Sequence, residues 1–486
     1  MNDNKYKILF ASSEIFPLIK TGGLADVSQS LPRALKSLGQ DIRLVMPAYR
    51  QAKDQLSHIK KVAQTSVQEH EVELLKATLP GTRLPIWLLD CPSLFEREGG
   101  PYTSPKGETW PDNAQRFAVF SRVIAAIATD QIGLDWQPDI LHCNDWQTAL
   151  APVILHFEKS KPGIIFTIHN LAYQGVFPYS TFVDLQLPSE LWSFDSMEFY
   201  DEFSFIKGGI VYADQVTTVS PTYATEIQTK EYGAGLEKLL QFHSEKLTGV
   251  INGINKEEWN PNKDNNIDTT YSIKTLSLKT KNKLALQKEL GLEVGGNIPL
   301  LASISRLAAQ KGIDLIVGVL PYLKNFKVQY VILGSGEKAL ETALTKAANT
   351  NPEQVFVRVG YDETLAHKIT AAADFFIMPS RYEPCGLNQM YSQHYGTIPI
   401  VRKTGGLADT VIDETSKSAE SIKNTGIIFE KDSAVDLLKA IIRGLDIYSN
   451  KTIWEKMQLN AMRQDFSWKN SAMQYLDLYT RILDKQ

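Results

Sequence analysis

The sequence predicts an α/β protein made of two doubly wound domains, and three observations lead to this fold class. Short apolar, β-branched runs recur along the chain and end in Gly, Asn, Asp or His. Helical periodicity follows these runs, which is typical of parallel strands buried on both faces. A polar stretch at 253–275 divides the runs into two sets. Because open α/β sheets bind ligands beyond the carboxyl ends of their strands, we expect an active site in a deep cleft between two Rossmann-like domains.

The predicted strands are ten short runs, five on each side of the polar stretch. They occupy residues 6–11, 41–47, 138–144, 163–170, 215–221, 300–306, 329–336, 355–360, 375–380 and 398–402. Each run is too short for a helix and is bounded by turn-forming or polar residues, which favours strands that alternate with helices.

The polar stretch at 253–275 is the predicted linker, because few of its residues are apolar enough to pack. We therefore expect one domain over residues 1–252 and a second over residues 253–465. Residues 466–486 are predicted to form a C-terminal helix that can pack on either domain. Its packing residues are predicted to be Trp468, Met473, Tyr475, Leu476, Tyr479 and Leu483.

Composition excludes several classes of protein. The chain has 486 residues, 43% apolar and 22% charged, with a formal charge of −4, which is typical of a globular protein without a general attraction to nucleic acid or anionic membranes. Its three cysteines show no CxxC spacing, which argues against a disulfide framework and a zinc knot. Neither a signal peptide nor a membrane-spanning run is recognisable. We expect a cytoplasmic protein.

The octapeptide KTGGLADV at 20–27 returns as KTGGLADT at 403–410, each time between a predicted strand and a predicted helix. Unpaired N–H groups and the helix dipole attract anions at a helix start, and glycine lets the backbone approach them. Lys20 adds a mobile positive charge beside Gly22 and Gly23. The predicted guest is a phosphate group; the alternative is that each copy is only a tight strand-to-helix turn.

Two further loops in the second half carry charged residues. Arg306 and Lys311 follow a strand in SRLAAQKG and can clamp a diphosphate leaving group, although a solvated pair of surface charges is the alternative. Glu383 lies in PSRYEPCGLNQ, where a carboxylate can bind sugar hydroxyls or meet a developing positive charge. Gly386 and Leu387 offer backbone N–H groups to phosphate. Taken alone, a glutamate at this position is more often an acid at a helix N-terminus than a catalytic residue.

The first half places polar residues at two strand ends. TIHNLAYQG brings His169 and Asn170 to one end, and HCNDWQ brings Asp145 to another. A single histidine is usually structural, but this position faces the expected cleft. Ten aromatic residues follow between Tyr173 and Phe205; exposed rings stack on sugar faces, while at least half are expected in the core.

As a set, these motifs resemble the bacterial glycogen synthase and plant starch synthase family, in order from about residue 6 to residue 480. The motifs are KTGGLADV, WPDNAQRF, HCNDWQ, TIHNLAYQG, KGGIVYADQVTTVSPTYATEI, GVINGIN, SRLAAQKG, VILGSG, EPCGLNQ and VRKTGGLADTV. The resemblance implies a retaining glucosyltransferase of the GT-B fold that transfers glucose from ADP-glucose to the non-reducing end of an α-1,4-glucan and releases ADP. It implies no metal or other cofactor, and a C-terminal helix that crosses back to the N-terminal domain.

The resemblance also implies roles for individual residues. Arg306 and Lys311 would stabilise the departing diphosphate, Glu383 would hold the transferred glucose, and His169 would lie at the reacting sugar. The N-terminal domain would be the acceptor side and the C-terminal domain the nucleotide-sugar side. The implied substrate-binding residues are Lys20, Gly22, Gly23, Asp26, Tyr102, Asp145, Asn170, Asn252, Cys385, Gly386, Leu387, Thr404 and Gly405.

Three positions depart from the family pattern. Asn388 stands where relatives have Thr or Ser, and Asn144 and Gln147 stand where relatives commonly have His. We expect the hydroxyl contact near Glu383 and the acceptor-side surroundings to differ accordingly.

Two other functions are compatible with parts of the sequence. Gly334, Gly336 and Ala339 form a loose dinucleotide-binding fingerprint, but the acid expected about 20 residues later is missing. A catalytically silent glucan-binding protein is the second alternative, although every charged residue of the implied site is present. The residues alone fit ADP-glucose or UDP-glucose, and the resemblance favours ADP-glucose.

Overall fold

The computed structural model describes residues 5–413 and 423–485. All ten predicted strands are present, and most end before the polar residues that close each run, so those residues lie in loops. The strands are β1 (Lys7–Ala11), β2 (Asp41–Pro47), β3 (Lys60–Val67), β4 (His70–Thr78), β5 (Pro85–Asp90), β6 (Ile140–Asn144), β7 (Gly163–Ile168), β8 (Val176–Pro178), β9 (Glu198–Phe199), β10 (Glu202–Ser204), β11 (Gln215–Thr218), β12 (Leu247–Gly249), β13 (Leu300–Ile304), β14 (Gln329–Gly334), β15 (Val355–Val359), β16 (Phe375–Met378), β17 (Ile398–Arg402) and β18 (Ile427–Phe429).

The helices alternate with these strands through most of the chain, as βαβ units require. They are α1 (Gly23–Ser37), α2 (Arg50–Asp54), α3 (Pro92–Phe95), α4 (Asn113–Ala128), α5 (Leu150–Leu155), α6 (Tyr179–Asp184), α7 (Phe205–Tyr212), α8 (Pro221–Glu226), α9 (Glu237–Phe242), α10 (Lys279–Glu289), α11 (Ile313–Leu323), α12 (Lys338–Thr350), α13 (Glu363–Ala372), α14 (Asn388–His394), α15 (Gly405–Thr410), α16 (Ala434–Ser449), α17 (Lys451–Met462) and α18 (Trp468–Leu483). No helix in the described ranges is both long enough and apolar enough to cross a membrane.

The chain divides into two compact units. Unit 1 comprises Met1–Gly253 and Trp468–Gln486, and unit 2 comprises Ile254–Ser467. Among its described residues, unit 1 contains a nine-stranded sheet in the order β12-β11-β7-β6-β1-β2-β5-β4-β3. Its strands run parallel from β12 to β5, and β4 and β3 add an antiparallel hairpin at one edge.

Helix α18 completes the core of unit 1. The Tyr479 hydroxyl lies 2.8 Å from Nδ1 of His142 on β6, and both side chains are buried. Gly163 at the start of β7 lets the helix approach, because a Cβ there would lie 2.5 Å from Ile482. The packing prediction is wrong for Met473, which is 39% exposed because it lies on the outer face of the helix.

Unit 2 contains a parallel sheet, six-stranded in its described part, in the order β15-β14-β13-β16-β17-β18. The polar stretch at 253–275 lies largely in this unit and is more closely packed than its composition predicts. Trp259 is buried between the rings of His367 and Tyr391, with centroid distances of 3.8 and 4.4 Å. A few aromatic and aliphatic side chains are therefore enough to anchor a segment whose other residues are polar.

Candidate active site

The first copy of the octapeptide forms an open loop between β1 and α1 in unit 1. Gly22 has extended backbone angles and Gly23 begins the helix. Both glycines are exposed, and a Cβ at either position would meet nothing within 4 Å. Lys20 Nζ lies 2.9 Å from Asp26 Oδ1, and its side chain is 40% exposed. The loop thus combines a cation and helix-start N–H groups facing open space, which suits a phosphate or a sugar hydroxyl.

Glu14 holds this loop from the inside, a role that the sequence analysis did not predict. Its carboxylate accepts hydrogen bonds from the Thr21 hydroxyl at 2.6 Å, from the Thr21 backbone N–H, and from the Tyr102 hydroxyl at 2.6 Å. Glu14 is only 3% exposed. The signal for it was a single acidic residue directly after the buried strand β1.

Asp145 lies at the end of β6 in a strained conformation, with φ 55° and ψ 179°. This region of backbone space is occupied almost only by glycine, and such strain is concentrated at functional sites. Asp145 Oδ1 accepts the backbone N–H of His169 at 2.7 Å. Burial raises the pKa of Asp145 to about 7, helped by the charge of Glu14 and opposed by backbone hydrogen bonds from His169 and Asn170.

The ring of His169 is fixed by Asn144. Asn144 donates through Nδ2 to the Ala11 carbonyl at 2.9 Å, so its Oδ1 is the acceptor that faces His169 Nε2, also at 2.9 Å. His169 therefore carries its proton on Nε2. Burial lowers its pKa to about 3, so the ring is neutral at physiological pH. Asn144 thus orients the ring of His169.

The remaining predicted residues of unit 1 lie on neighbouring loops. Asn170 follows His169, and its side-chain oxygen accepts the N–H of Ala172 at 3.0 Å. Asn252 is 6% exposed, and its Oδ1 has no hydrogen-bond partner within the described ranges. The Oε1 of Gln147 is also buried without a hydrogen-bond partner within the described ranges. Gln147 is another of the positions expected to depart from the family pattern. Buried acceptors of this kind need a water or a ligand.

Strands β1, β6 and β7 are neighbours in the sheet, and the residues at their carboxyl ends are brought together. The carboxyl ends of these three strands therefore carry the loop at 20–23, Glu14, Asp145 and His169. Of the ten aromatic residues between 173 and 205, four are well exposed: Tyr173, Tyr179, Phe194 and Tyr200. The others are buried or partly buried, in line with the expected division between core and surface.

In unit 2, Lys311 and Glu383 form an ion pair. Lys311 Nζ lies 2.6 Å from Glu383 Oε2, which also accepts the Ser380 hydroxyl at 3.0 Å. Arg306 is exposed nearby, and its guanidinium contacts Gln310 Oε1 at 3.1 Å. Gln310 in turn donates to the carbonyl of Tyr382, next to Glu383, at 3.3 Å. The predicted catalytic residues of this unit therefore lie in connected loops beyond β13 and β16.

The second octapeptide is packed, not open. Gly405 has φ 42°, and a Cβ there would lie 2.0 Å from the Glu383 carbonyl oxygen. A Cβ on Gly406 would lie 2.1 Å from the Cys385 carbonyl oxygen, and the Gly406 N–H donates to Glu383 at 3.1 Å. Thr404 is fully buried. Thr404 and Gly405 thus support the 383–386 loop from behind, a different task from that of Gly22 and Gly23.

The rest of the 383–388 loop is also tightly defined. Gly386 has φ 71°, which favours glycine, and Leu387 precedes helix α14. Cys385 is 5% exposed. Asn388 donates through its amide to the Ile304 carbonyl at 2.8 Å, so it ties the loop to the end of β13.

One group of side chains in the described part of the chain has ligand atoms close enough to hold a metal ion, namely Glu258, Glu363 and His367. Burial alone lowers the pKa of His367, but hydrogen bonds to Asp264 and Glu363 outweigh it and raise the pKa to about 9. The imidazole is therefore protonated at neutral pH and balances the charges of its two carboxylate neighbours. This arrangement is a buried ion-pair network that Trp259 covers.

Comparison with known proteins agrees with the site chemistry. The starch synthase catalytic domain family matches residues 7–242, and the glycosyl transferases group 1 family matches residues 291–458. Glycogen synthase 1 of Methylococcus capsulatus is 49% identical over 479 residues, which are 98% of this chain and 97% of the relative. Glycogen synthase of Cellvibrio japonicus is 49% identical over 98% of this chain and 99% of its own length.

Two solved structures of glycosyl-transferring synthases also match this chain. The catalytic domain of starch synthase IV from Arabidopsis thaliana, bound to ADP and acarbose, matches with a TM-score of 0.90 and 32% identity over 99% of this chain and 100% of that one. Sucrose-phosphate synthase from Thermosynechococcus elongatus matches with a TM-score of 0.61 and 16% identity over 99% of this chain and 100% of its own, which supports the GT-B fold alone.

Proposed function

The chain belongs to the bacterial glycogen synthase and plant starch synthase family and has its glucosyltransferase activity, and on that premise we propose that it transfers glucose from ADP-glucose to the non-reducing end of an α-1,4-glucan. The solved relative that binds ADP and acarbose, at 32% identity over 99% of this chain, supports this choice of donor and acceptor. We assign the acceptor side to residues 1–252 and the nucleotide-sugar side to residues 253–465.

The ion pair between Lys311 and Glu383 is the observation that carries the proposal. A diphosphate leaving group gains negative charge as the bond to glucose breaks, while the sugar carbon becomes positive. Lys311 and the exposed Arg306 match the first charge, and Glu383 matches the second or accepts sugar hydroxyls. A transferase of this kind needs no metal, because two side-chain cations replace it.

The loops of unit 1 supply the remaining groups in this proposal. Lys20 and the N–H groups of Gly22 and Gly23 face the donor phosphates and glucose, and Asp26 holds Lys20 in place at 2.9 Å. Asp145, Asn170 and Asn252 bind sugar hydroxyls. The neutral ring of His169 donates its Nε2 proton to Asn144 and can accept from a sugar hydroxyl at Nδ1, and its pKa is lowered to about 3 by burial.

We assign retention of configuration to attack by the acceptor hydroxyl from the face that the diphosphate leaves, with no second carboxylate as nucleophile. Cys385, Gly386 and Leu387 would border the transferred glucose beside Glu383, with Thr404 and Gly405 behind them. Exclusion of water protects the glucosyl group from hydrolysis during transfer. The three cysteines are buried and form no disulfide in the described part of the chain, which fits a cytoplasmic enzyme.

The decisive experiment incubates the full chain with glycogen and either ADP-glucose or UDP-glucose, and measures the nucleotide diphosphate released. Release of ADP with elongation of the glucan supports the proposal, and activity that persists in EDTA supports a reaction without metal. Preferential release of UDP would overturn the donor assignment. Binding of glycogen without release of either nucleotide would favour a silent glucan-binding protein.

A further inference from the structure

We propose that Glu14 is a positioning residue that holds the loop at 20–23 in the shape that receives the donor, and that Tyr102 helps it. This inference rests on the proposed donor, ADP-glucose. It follows from the hydrogen bonds that converge on one buried carboxylate.

The Glu14 carboxylate has three donors around it. Two come from Thr21, through its hydroxyl and its backbone N–H, and the third is the hydroxyl of Tyr102. A carboxylate accepts from all three at once, whereas an amide would require the Thr21 and Tyr102 hydroxyls to turn and accept. The carboxylate therefore holds Thr21 through charge-assisted hydrogen bonds.

The Glu14 carboxylate and the loop at 20–23 depend on each other. Glu14 is 3% exposed and forms no ion pair with any residue that the structure describes. Burying a carboxylate is costly unless hydrogen bonds compensate it, and here two of the three come from Thr21. Any loop shape that withdraws Thr21 therefore leaves the buried charge poorly solvated. The loop and the carboxylate stabilise each other.

Thr21 ties an exposed loop to the buried Glu14 carboxylate, and it is itself exposed. Lys20 on one side and Gly22 and Gly23 on the other are all exposed. Since the Cβ positions of both glycines face open space, their backbones are accessible to a ligand. Fixing Thr21 from beneath therefore fixes the direction of the Lys20 side chain and of the adjacent N–H groups.

Tyr102 forms the second support of the carboxylate. Its hydroxyl lies 2.6 Å from Glu14 Oε1 and 2.7 Å from the Ser13 hydroxyl. Burial, with the charge of Glu14, raises the pKa of Tyr102 well above its usual range, so the hydroxyl remains a donor. The resemblance implies a substrate contact for Tyr102, and its hydroxyl also meets Glu14 and Ser13.

The test compares full-length wild type with Glu14→Gln and Tyr102→Phe. The matched control is Asp139→Asn, which removes a carboxylate that accepts the Lys7 N–H at 2.7 Å, at the first residue of β1. Glutamine keeps the size of Glu14 but removes its charge, and its NH₂ group fits only if the Thr21 and Tyr102 hydroxyls turn to accept it. We expect kcat/KM for ADP-glucose to fall by about 10²-fold in Glu14→Gln. The KM for glycogen should change by less than about twofold.

Two further readouts separate positioning from a general loss of stability. In a Lys20→Ala background, Glu14→Gln should lower kcat/KM by no more than about a further twofold, because both changes disable one loop. Amide hydrogen exchange of peptides that cover residues 15–24 should speed up in Glu14→Gln and not in Asp139→Asn. Tyr102→Phe should show the same two effects at smaller size.

Amide hydrogen exchange at residues 15–24 that stays unchanged in Glu14→Gln would overturn the positioning role. The same holds if the kcat/KM loss of the Glu14→Gln, Lys20→Ala double variant equals the product of the two single losses. An equal change in the KM for glycogen, or a lower Tm with normal donor kinetics, would also overturn that role. A wild type that does not turn over ADP-glucose would refute the donor assignment instead, and hydrogen exchange would still decide the role of Glu14.

Discussion

Lys311 Nζ lies 2.6 Å from Oε2 of Glu383, and the two side chains are 21% and 7% exposed. Each of these groups therefore holds the other in place within unit 2. In the proposed reaction, a diphosphate bound to Lys311 would share its charge with Glu383, and a glucose ring bound to Glu383 would lie beside the cation. The pair puts the positive group for the leaving anion next to the negative group for the sugar.

Replacing Arg306 tests the diphosphate clamp. Arg306 is exposed, so Arg306→Ala should leave the fold intact while it removes a donor for the developing negative charge. We expect kcat to fall by ~10²–10³-fold. Steady-state ADP release measures this, with Lys439→Ala as the control, because Lys439 is 71% exposed on α16 of the same unit. A kcat equal to that of the control would eliminate the clamp.

The two octapeptides should respond differently to alanine. Gly405→Ala places a Cβ 2.0 Å from the Glu383 carbonyl and requires a left-handed backbone, so both activity and stability should fall, the latter by about 1–3 kcal/mol. Gly23→Ala meets nothing within 4 Å, so its Tm should stay close to wild type while the added methyl hinders the donor. Thermal unfolding and kcat/KM for ADP-glucose measure the contrast. Equal losses of Tm would contradict it.

The pKa of Asp145 predicts a pH-dependent stability. Because burial raises it from 3.8 to about 7, the folded state holds a proton that the unfolded chain releases earlier. This contribution is complete below the unfolded value and is lost as the pH rises to about 7. The Tm of wild type relative to Asp145→Asn should therefore fall between about pH 4 and about pH 7 and then level off. A constant difference would show that Asp145 is not perturbed.

His367 gives a second pH dependence, in a higher range. Burial lowers its pKa, but hydrogen bonds to Asp264 and Glu363 raise it from 6.5 to about 9. Its stabilisation is complete below the unfolded value and is lost as the pH rises through about 9. The Tm advantage of wild type over His367→Asn should be largest near about pH 6 and shrink by about pH 10. An advantage independent of pH would instead be due to stacking on Trp259.

Most of the fold could be predicted because its strands are buried on both faces and read as apolar runs. The hairpin β3–β4 was missed because it lies at the sheet edge, where exposed polar residues such as Lys60 interrupt the pattern. The packing of 253–275 was missed because Trp259 alone supplies much of its contact.

The candidate site was predictable where a motif carries its own chemistry, as with Lys311 and Glu383. Glu14 and Asn144 were not predicted in their present roles, because those depend on partners far along the chain, Tyr102 and Ala11. The doubled octapeptide shows the same limit, since the equivalent glycines Gly22 and Gly405 lie in open space in one copy and against backbone in the other.

Helix α18 has a consequence for synthesis on the ribosome. Tyr475, Tyr479 and Ile482 belong to the core of unit 1, yet they are translated after the whole of unit 2. Until they emerge, the nascent N-terminal sheet lacks the helix that covers part of β6 and β7, so apolar surface stays open to other chains. Unit 2 is translated in full before α18. Unit 1, whose translation begins first, is therefore the last to complete its core.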